Sequence, residues 1–198
     1  MYSSRMANPR VSRDPGALLE QVTRQWGGRD DLWVFGYASL IWRPGFDPAE
    51  HRHARVQGWH RALRMWSRIN RGTPEQPGLV FALLPGGSCH GLALRIPCRQ
   101  VDNVLPQLWE REMPGCVYDP RWLPCATAQG TVSALAFTLS RRSPSFTGEL
   151  SAEQYRHIFR HARGRYGTTL DYARQTLDSL RAHGIEDHAL CRLLGHAA

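Results

Sequence analysis

Lysine is absent from this chain. Its 25 Lys+Arg positions are therefore all arginine, set against 17 Asp+Glu in 198 residues, for a formal charge of +8. A phosphate loop that needs spaced glycines and a Lys-Ser/Thr pair is excluded. An all-arginine basic set also has the look of GC-rich codon bias, which weakens any inference from charge to nucleic acid.

Paired cysteines are lacking too. Cys89, Cys98, Cys116, Cys125 and Cys191 make an odd count, and none share a C-x-x-C spacing. That argues against a disulfide framework or a zinc ribbon and favours a reducing, cytoplasmic compartment. His51-x-His53 and the Cys89-His90 pair are too isolated for a metal site and are expected in loops. No apolar run reaches membrane-spanning length, so no membrane partner is expected, and no secretory signal has the right zones. Repeats, charge blocks and low-complexity segments are missing. The sequence argues against serine-hydrolase chemistry at Ser39, because Tyr37 and Ile41 stand where G-x-S-x-G needs glycine.

What is present fits one globular domain: 42% apolar and 21% charged residues over a length that can bury a sizeable core. Residues 1–30 are expected to be a leader and a short helix, and 31–198 a single domain. Residues 1–14 are polar and Arg-containing, and Met6 offers an alternative start. Asp14-Pro15 ahead of residues 16–26, then Gly27-Gly28, predicts a capped helix. Strands are predicted over 32–36, 56–66 and 131–139. Residues 79–84 and 90–96 are predicted to form a hairpin around Pro85-Gly86-Gly87-Ser88. Ser151-x-x-Gln154 is a capping box for a helix through Ala162. Further helices are expected over 169–182 and from Asp187. Strands early and helices late suggest an α+β fold, a mixed sheet closed on itself with helices on its flank.

Two local features carry chemistry. Trp33 to Phe46 begins as a buried strand and breaks into Gly36-Tyr37-Ala38-Ser39, where small side chains leave backbone N–H groups open to a ligand. Its aromatic density suits a pocket wall, and equally a core strand with its turn. The second feature is a helical stripe of Val101, Val104, Leu105, Leu108 and Trp109, interrupted by Pro106. Three residues on lies Glu112, a carboxylate on an apolar face, while Glu110 and Arg111 fall on the solvated side. Such a carboxylate is costly unless paired or functional. Burial would raise its pKa toward proton-shuttling range. An ion pair with Arg64 or Arg43 explains it equally well.

Arg52, Arg55, Arg61, Arg64, Arg68 and Arg71 are interleaved with Trp59 and Trp66. This stretch suits phosphate contacts with base stacking, or the outer face of a strand with a few arginines turned to an anionic small substrate.

Val34 to Phe46 resembles the N-terminal signature of the ChaC family, the glutathione-specific γ-glutamylcyclotransferases. Trp109-Glu110-Arg111-Glu112-Met113, followed by Gly115-Cys116 and Tyr118, is similar to the family's second signature. Arg64-Met65-Trp66-Ser67 with Arg71-Gly72-Thr73-Pro74 and Pro77-Gly78 matches in order and spacing. So does Gly164-Arg165-Tyr166-Gly167-Thr168-Thr169, with Tyr172 behind it. The resemblance spans roughly residues 31 to 195.

The resemblance implies a γ-glutamylcyclotransferase-like fold, a small mixed β-barrel with flanking helices. It implies cleavage of glutathione to 5-oxoproline and cysteinylglycine, by attack of the γ-glutamyl α-amine on its own γ-carbonyl, without metal or cofactor. Glu112 takes the place of the catalytic carboxylate. Tyr37, Ala38, Ser39 and Leu40 take the place of the loop that binds the γ-glutamyl end. Arg64, Ser67 and Tyr118 are further substrate-binding candidates, Tyr118 being as readily an aromatic packed on the barrel. One departure stands out: the family usually has Gly-Tyr-Gly-Ser-Leu, and here Ala38 replaces the second glycine. If that position needs positive φ, alanine costs about 1 kcal/mol. Other γ-glutamyl amino acids or amines are the alternative substrates. A basic module for nucleic acid or an acidic partner is the alternative of another class, although no nucleic-acid partner is expected. Nothing in the sequence specifies an oligomeric state.

Overall fold

Asp14 caps the first helix, α1 (Pro15–Trp26), by accepting from the Gly16 N–H, and Gly27 ends it at φ 81°. The structure, a computed structural model, describes residues 13–197. Most of the leader expected over residues 1–14 lies outside them. Strand β1 (Leu32–Gly36) follows at the boundaries its apolar run predicts, and leads into a single helical turn, α2 (Ser39–Trp42).

The barrel is dominated by two long strands, β2 (Glu50–Ser67) and β3 (Gly78–Ile96), paired antiparallel over nearly their whole length. This corrects two sequence expectations. Residues 79–96 do not fold back as a hairpin, and His51 and His53 lie in a strand rather than a loop. The turn chemistry at Gly86 and Gly87 is real, with φ of 104° and 73°, but Gly58 opposite also takes positive φ. The register skips there, from Gln57↔Ser88 to Trp59↔Pro85, so both strands bend together at a bulge. The reversal between them falls at residues 68–77 instead.

Helix α3 (Cys98–Glu112) starts where Asp31 accepts the Cys98 N–H at 2.8 Å, and it continues through Pro106. Its buried residues Val101, Leu105, Leu108 and Trp109 hold it against the barrel on both sides of that proline. Two strands follow, β4 (Asp119–Thr127) and β5 (Gly130–Thr138), paired along their length. β4 escaped the sequence reading because Pro120 and Pro124 interrupt it. It tolerates them because it meets β2 only at Arg55↔Ala126 and Val56↔Cys125, leaving its proline-bearing part with one strand neighbour. The order β1-β3-β2-β4-β5 closes through parallel contacts of β1 and β3 with β5. Phe35, Leu63, Leu83, Leu135 and Phe137 are among the fully buried side chains of the core. Each such burial stabilises the fold by about 1.5–3 kcal/mol.

Three helices cover the flank. Both bonds of the predicted capping box open α4 (Ala152–His161). Thr168 caps α5 (Thr169–Ala182), and Asp187 caps α6 (His188–Leu194). Between α4 and α5, strands β6 (Arg163–Gly164) and β7 (Gly167–Thr168) form a small hairpin that docks on the 68–77 turn. The Arg165 and Tyr166 N–H groups donate to the Ile69 and Asn70 carbonyls at 2.8 and 2.9 Å. A Cβ on Gly164 would come within 2.5 Å of the Gly72 nitrogen and the Ile69 oxygen. Two glycine-bearing motifs distant in sequence are thus one packed junction.

Candidate active site

The turn after β1 is tight, since a Cβ on Gly36 would meet the Leu40 Cβ at 3.3 Å. Tyr37 turns into the barrel, where its hydroxyl donates to the Phe137 carbonyl at 2.9 Å. Ala38 has φ −147° and ψ −118°, so alanine carries no left-handed penalty there. The Ile41 N–H donates to the Ala38 carbonyl at 2.9 Å and the Arg43 N–H to the Ser39 carbonyl at 2.7 Å. The N–H groups of Ala38, Ser39 and Leu40 have no protein acceptor among the described residues.

Glu112 approaches this loop from the far end of α3. Its helical phase places it beyond Leu108 and Trp109, and its side chain is 14% exposed. Burial raises its pKa above the ordinary carboxylate value, and the Arg111 guanidinium opposes that rise. Arg111 is the arginine partner, with Nε 3.1 Å from Glu112 Oε1, not Arg64 or Arg43. Nor is Arg111 solvated as its wheel position predicts. It donates to the Ser39 hydroxyl at 3.1 Å and to the Arg43 carbonyl, fastening the end of α3 to the loop. Its long side chain reaches around the helix to do so, which a wheel projection does not show.

Glu112 and residues 37–40 line one pocket. Tyr118 joins them, donating to the Phe81 carbonyl at 3.3 Å while packing near Phe137. Phe81, Phe137 and Tyr172 complete the lining, and none of these was a candidate from sequence. Tyr172 accepts the Phe81 N–H at 3.4 Å. The one available signal was its place behind the Gly164–Thr169 motif.

Burial pushes the Tyr37 and Tyr118 hydroxyls well above the phenol range and Tyr172 up to about 12, with the Glu112 charge adding to each. All three therefore stay protonated at neutral pH, with the Tyr37 and Tyr118 protons given to backbone carbonyls and the Tyr172 oxygen accepting an N–H. A buried carboxylate beside backbone N–H groups can hold a polar group and move a proton.

Arg64 and Ser67 do not reach it. Arg64 pairs with Glu149, and the Ser67 hydroxyl accepts the Arg71 N–H at 3.0 Å to brace the turn after β2. The Arg/Trp stretch is dispersed as well. Arg52 pairs with Glu50, Arg61 with Asp187, and Arg71 is buried over the Tyr172 ring. Among the described residues, no helix is long and apolar enough to cross a membrane.

Residues 32–197 match the family of ChaC-like proteins. The chain is 34% identical over 164 residues to the glutathione-specific γ-glutamylcyclotransferase of Escherichia coli (strain K12), covering 82% of this chain and 71% of that protein. It is 30% identical over 181 residues to glutathione-specific γ-glutamylcyclotransferase 1 of Homo sapiens, covering 89% and 81%. Its fold is similar to a crystal structure of the γ-glutamylcyclotransferase specific to glutathione from yeast. There the TM-score is 0.76 at 19% identity, covering 85% of this chain and 96% of the other.

Proposed function

The chain belongs to the ChaC-like family, and from that membership we propose that it is a glutathione-specific γ-glutamylcyclotransferase. The observation that carries the reading is the meeting of Glu112, from the end of α3, with the 37–40 loop in one pocket.

The γ-glutamyl end of glutathione enters with its α-ammonium toward Glu112. An ammonium has no lone pair, so Glu112 first takes a proton from it. The freed amine attacks the γ-carbonyl carbon and closes a five-membered ring. The free N–H groups of Ala38, Ser39 and Leu40 receive the α-carboxylate and the oxyanion that develops on the γ-oxygen. Glu112 then returns its proton to the departing cysteinyl nitrogen and the C–N bond breaks. The attacking nitrogen sheds two protons between ammonium and lactam, and the departing nitrogen gains two between amide and ammonium. No water is consumed. Because nucleophile and electrophile share one molecule, the protein's work is to select the folded conformer and to move protons.

Arg111 restrains both the carboxylate and the loop, and Tyr172, whose oxygen accepts the Phe81 N–H, keeps its own proton to offer the γ-glutamyl end. The five free cysteines and a thiol substrate both suit a cytoplasmic location.

The test is incubation of the purified, folded protein with glutathione, reading cysteinylglycine and 5-oxoproline. Formation of both in equal amounts is expected. A folded protein that forms neither overturns the reading, and faster turnover of γ-glutamyl-alanine than of glutathione overturns the assigned specificity.

A further inference from the structure

Arg61 lies on β2, shortly past the bulge at Gly58, and is not part of the pocket lining. Its side chain is only 4% exposed. Nε and Nη2 donate to one Asp187 carboxylate oxygen at 3.0 and 2.6 Å. Nη1 donates to the Tyr37 carbonyl at 2.7 Å and to the His90 carbonyl at 3.1 Å. Asp187 uses its other oxygen to cap α6 through the Leu190 N–H at 2.8 Å. One guanidinium thus joins α6, β3 and the backbone of the 37–40 loop.

The Tyr37 carbonyl belongs to the same peptide plane as the Ala38 N–H. In a trans peptide these two groups point in opposite directions. Holding the carbonyl from behind therefore turns the N–H the other way, and Ala38 lines the pocket. A fork held by two bonds to Asp187 cannot swing, so it fixes the plane more firmly than a single donor would.

We propose that Arg61, locked by Asp187, is a positioning residue that aims the Ala38 N–H at the γ-carbonyl oxygen of the substrate. The proposal rests on the cyclotransferase reading for the identity of that oxygen. It makes α6, far along the chain from the 37–40 loop, part of that loop's support.

Arg61→Met, Arg61→Lys and Asp187→Asn test it, with Arg95→Met as a control that removes the ion pairs to Asp31 and Glu50 elsewhere on the barrel. Asp187→Asn can still cap α6, so it separates positioning from helix integrity, and Arg61→Lys keeps the charge while losing the fork. Expected in each of these two variants is a fall in kcat of about tenfold to a hundredfold with KM within threefold, because the aimed donor acts on developing charge. Amide hydrogen exchange at Ile41 and Arg43 is expected to quicken at least tenfold in the unliganded variants, with β4 and β5 unchanged. Unchanged exchange at these two amides overturns the proposal, whatever the activity. So does a rise in KM at constant kcat, which would make Arg61 a determinant of binding alone. If wild type does not turn over glutathione, the functional reading fails, and the exchange result still decides whether Arg61 holds the loop.

Discussion

Replacing Glu112 by glutamine separates catalysis from stability, because the structure sets the two in opposition. Glutamine keeps the shape and removes the charge and the proton-accepting oxygen. A positioned general base contributes about 10²- to 10⁴-fold to rate, which corresponds to about 3–5 kcal/mol of barrier. Turnover of glutathione by the variant should fall by that factor. Stability should move the other way. The folded state raises the Glu112 pKa, so the ionised form is less favourable folded than unfolded. Its contribution is fully present below pH 4.5, its ordinary value, and is lost as pH rises through the raised folded value. At pH 7 the wild type carries that penalty and the neutral variant does not. The midpoint of thermal unfolding should therefore be equal to or above that of wild type, even though Arg111 loses its partner. The pH profile of kcat supplies a second reading. Wild type should gain activity as pH rises through a limb displaced above 4.5, and the variant should lack that limb. Steady-state assays of cysteinylglycine release from pH 4 to 9, with thermal melts at pH 4 and pH 7, measure all of this. A folded variant retaining more than a tenth of wild-type turnover refutes the assignment of Glu112 as the base. A variant whose melting midpoint falls sharply at pH 7 refutes the account of its burial.

Two further outcomes follow from backbone geometry. Ala38→Gly should leave kcat within threefold, since Ala38 has no positive φ for glycine to relieve, and a large gain in kcat in steady-state assay would mean the loop is strained. Gly164→Ala should destabilise by at least about 1–3 kcal/mol, because its Cβ would come 2.5 Å from backbone atoms of the facing turn; a melting midpoint within two degrees of wild type would show that the junction yields.

Much of the site was legible because its signals are local. The apolar run of 32–36, the Asp14 and Ser151 caps and the helical phase of Glu112 depend only on residues a few positions apart. The pairing of β3 was not. Pro85-Gly86-Gly87 makes the same local turn chemistry whether the chain folds back or bends beside β2, and only Gly58 on the partner strand decides. β4 was hidden because two prolines are tolerable only where a strand has one neighbour, and neighbours are a property of the barrel.

The same division applies to the chemistry. Sequence by itself determined that a carboxylate would sit on an apolar helix face and that small residues would open the backbone after β1, since both follow from side-chain period and size. Tertiary structure alone decided that Arg111, not Arg64 or Arg43, pairs with Glu112, that Tyr172 and Phe81 close the pocket, and that Arg61 holds the loop from behind. Those contacts join residues far apart in the chain, and no local periodicity encodes which long side chains meet once the barrel closes.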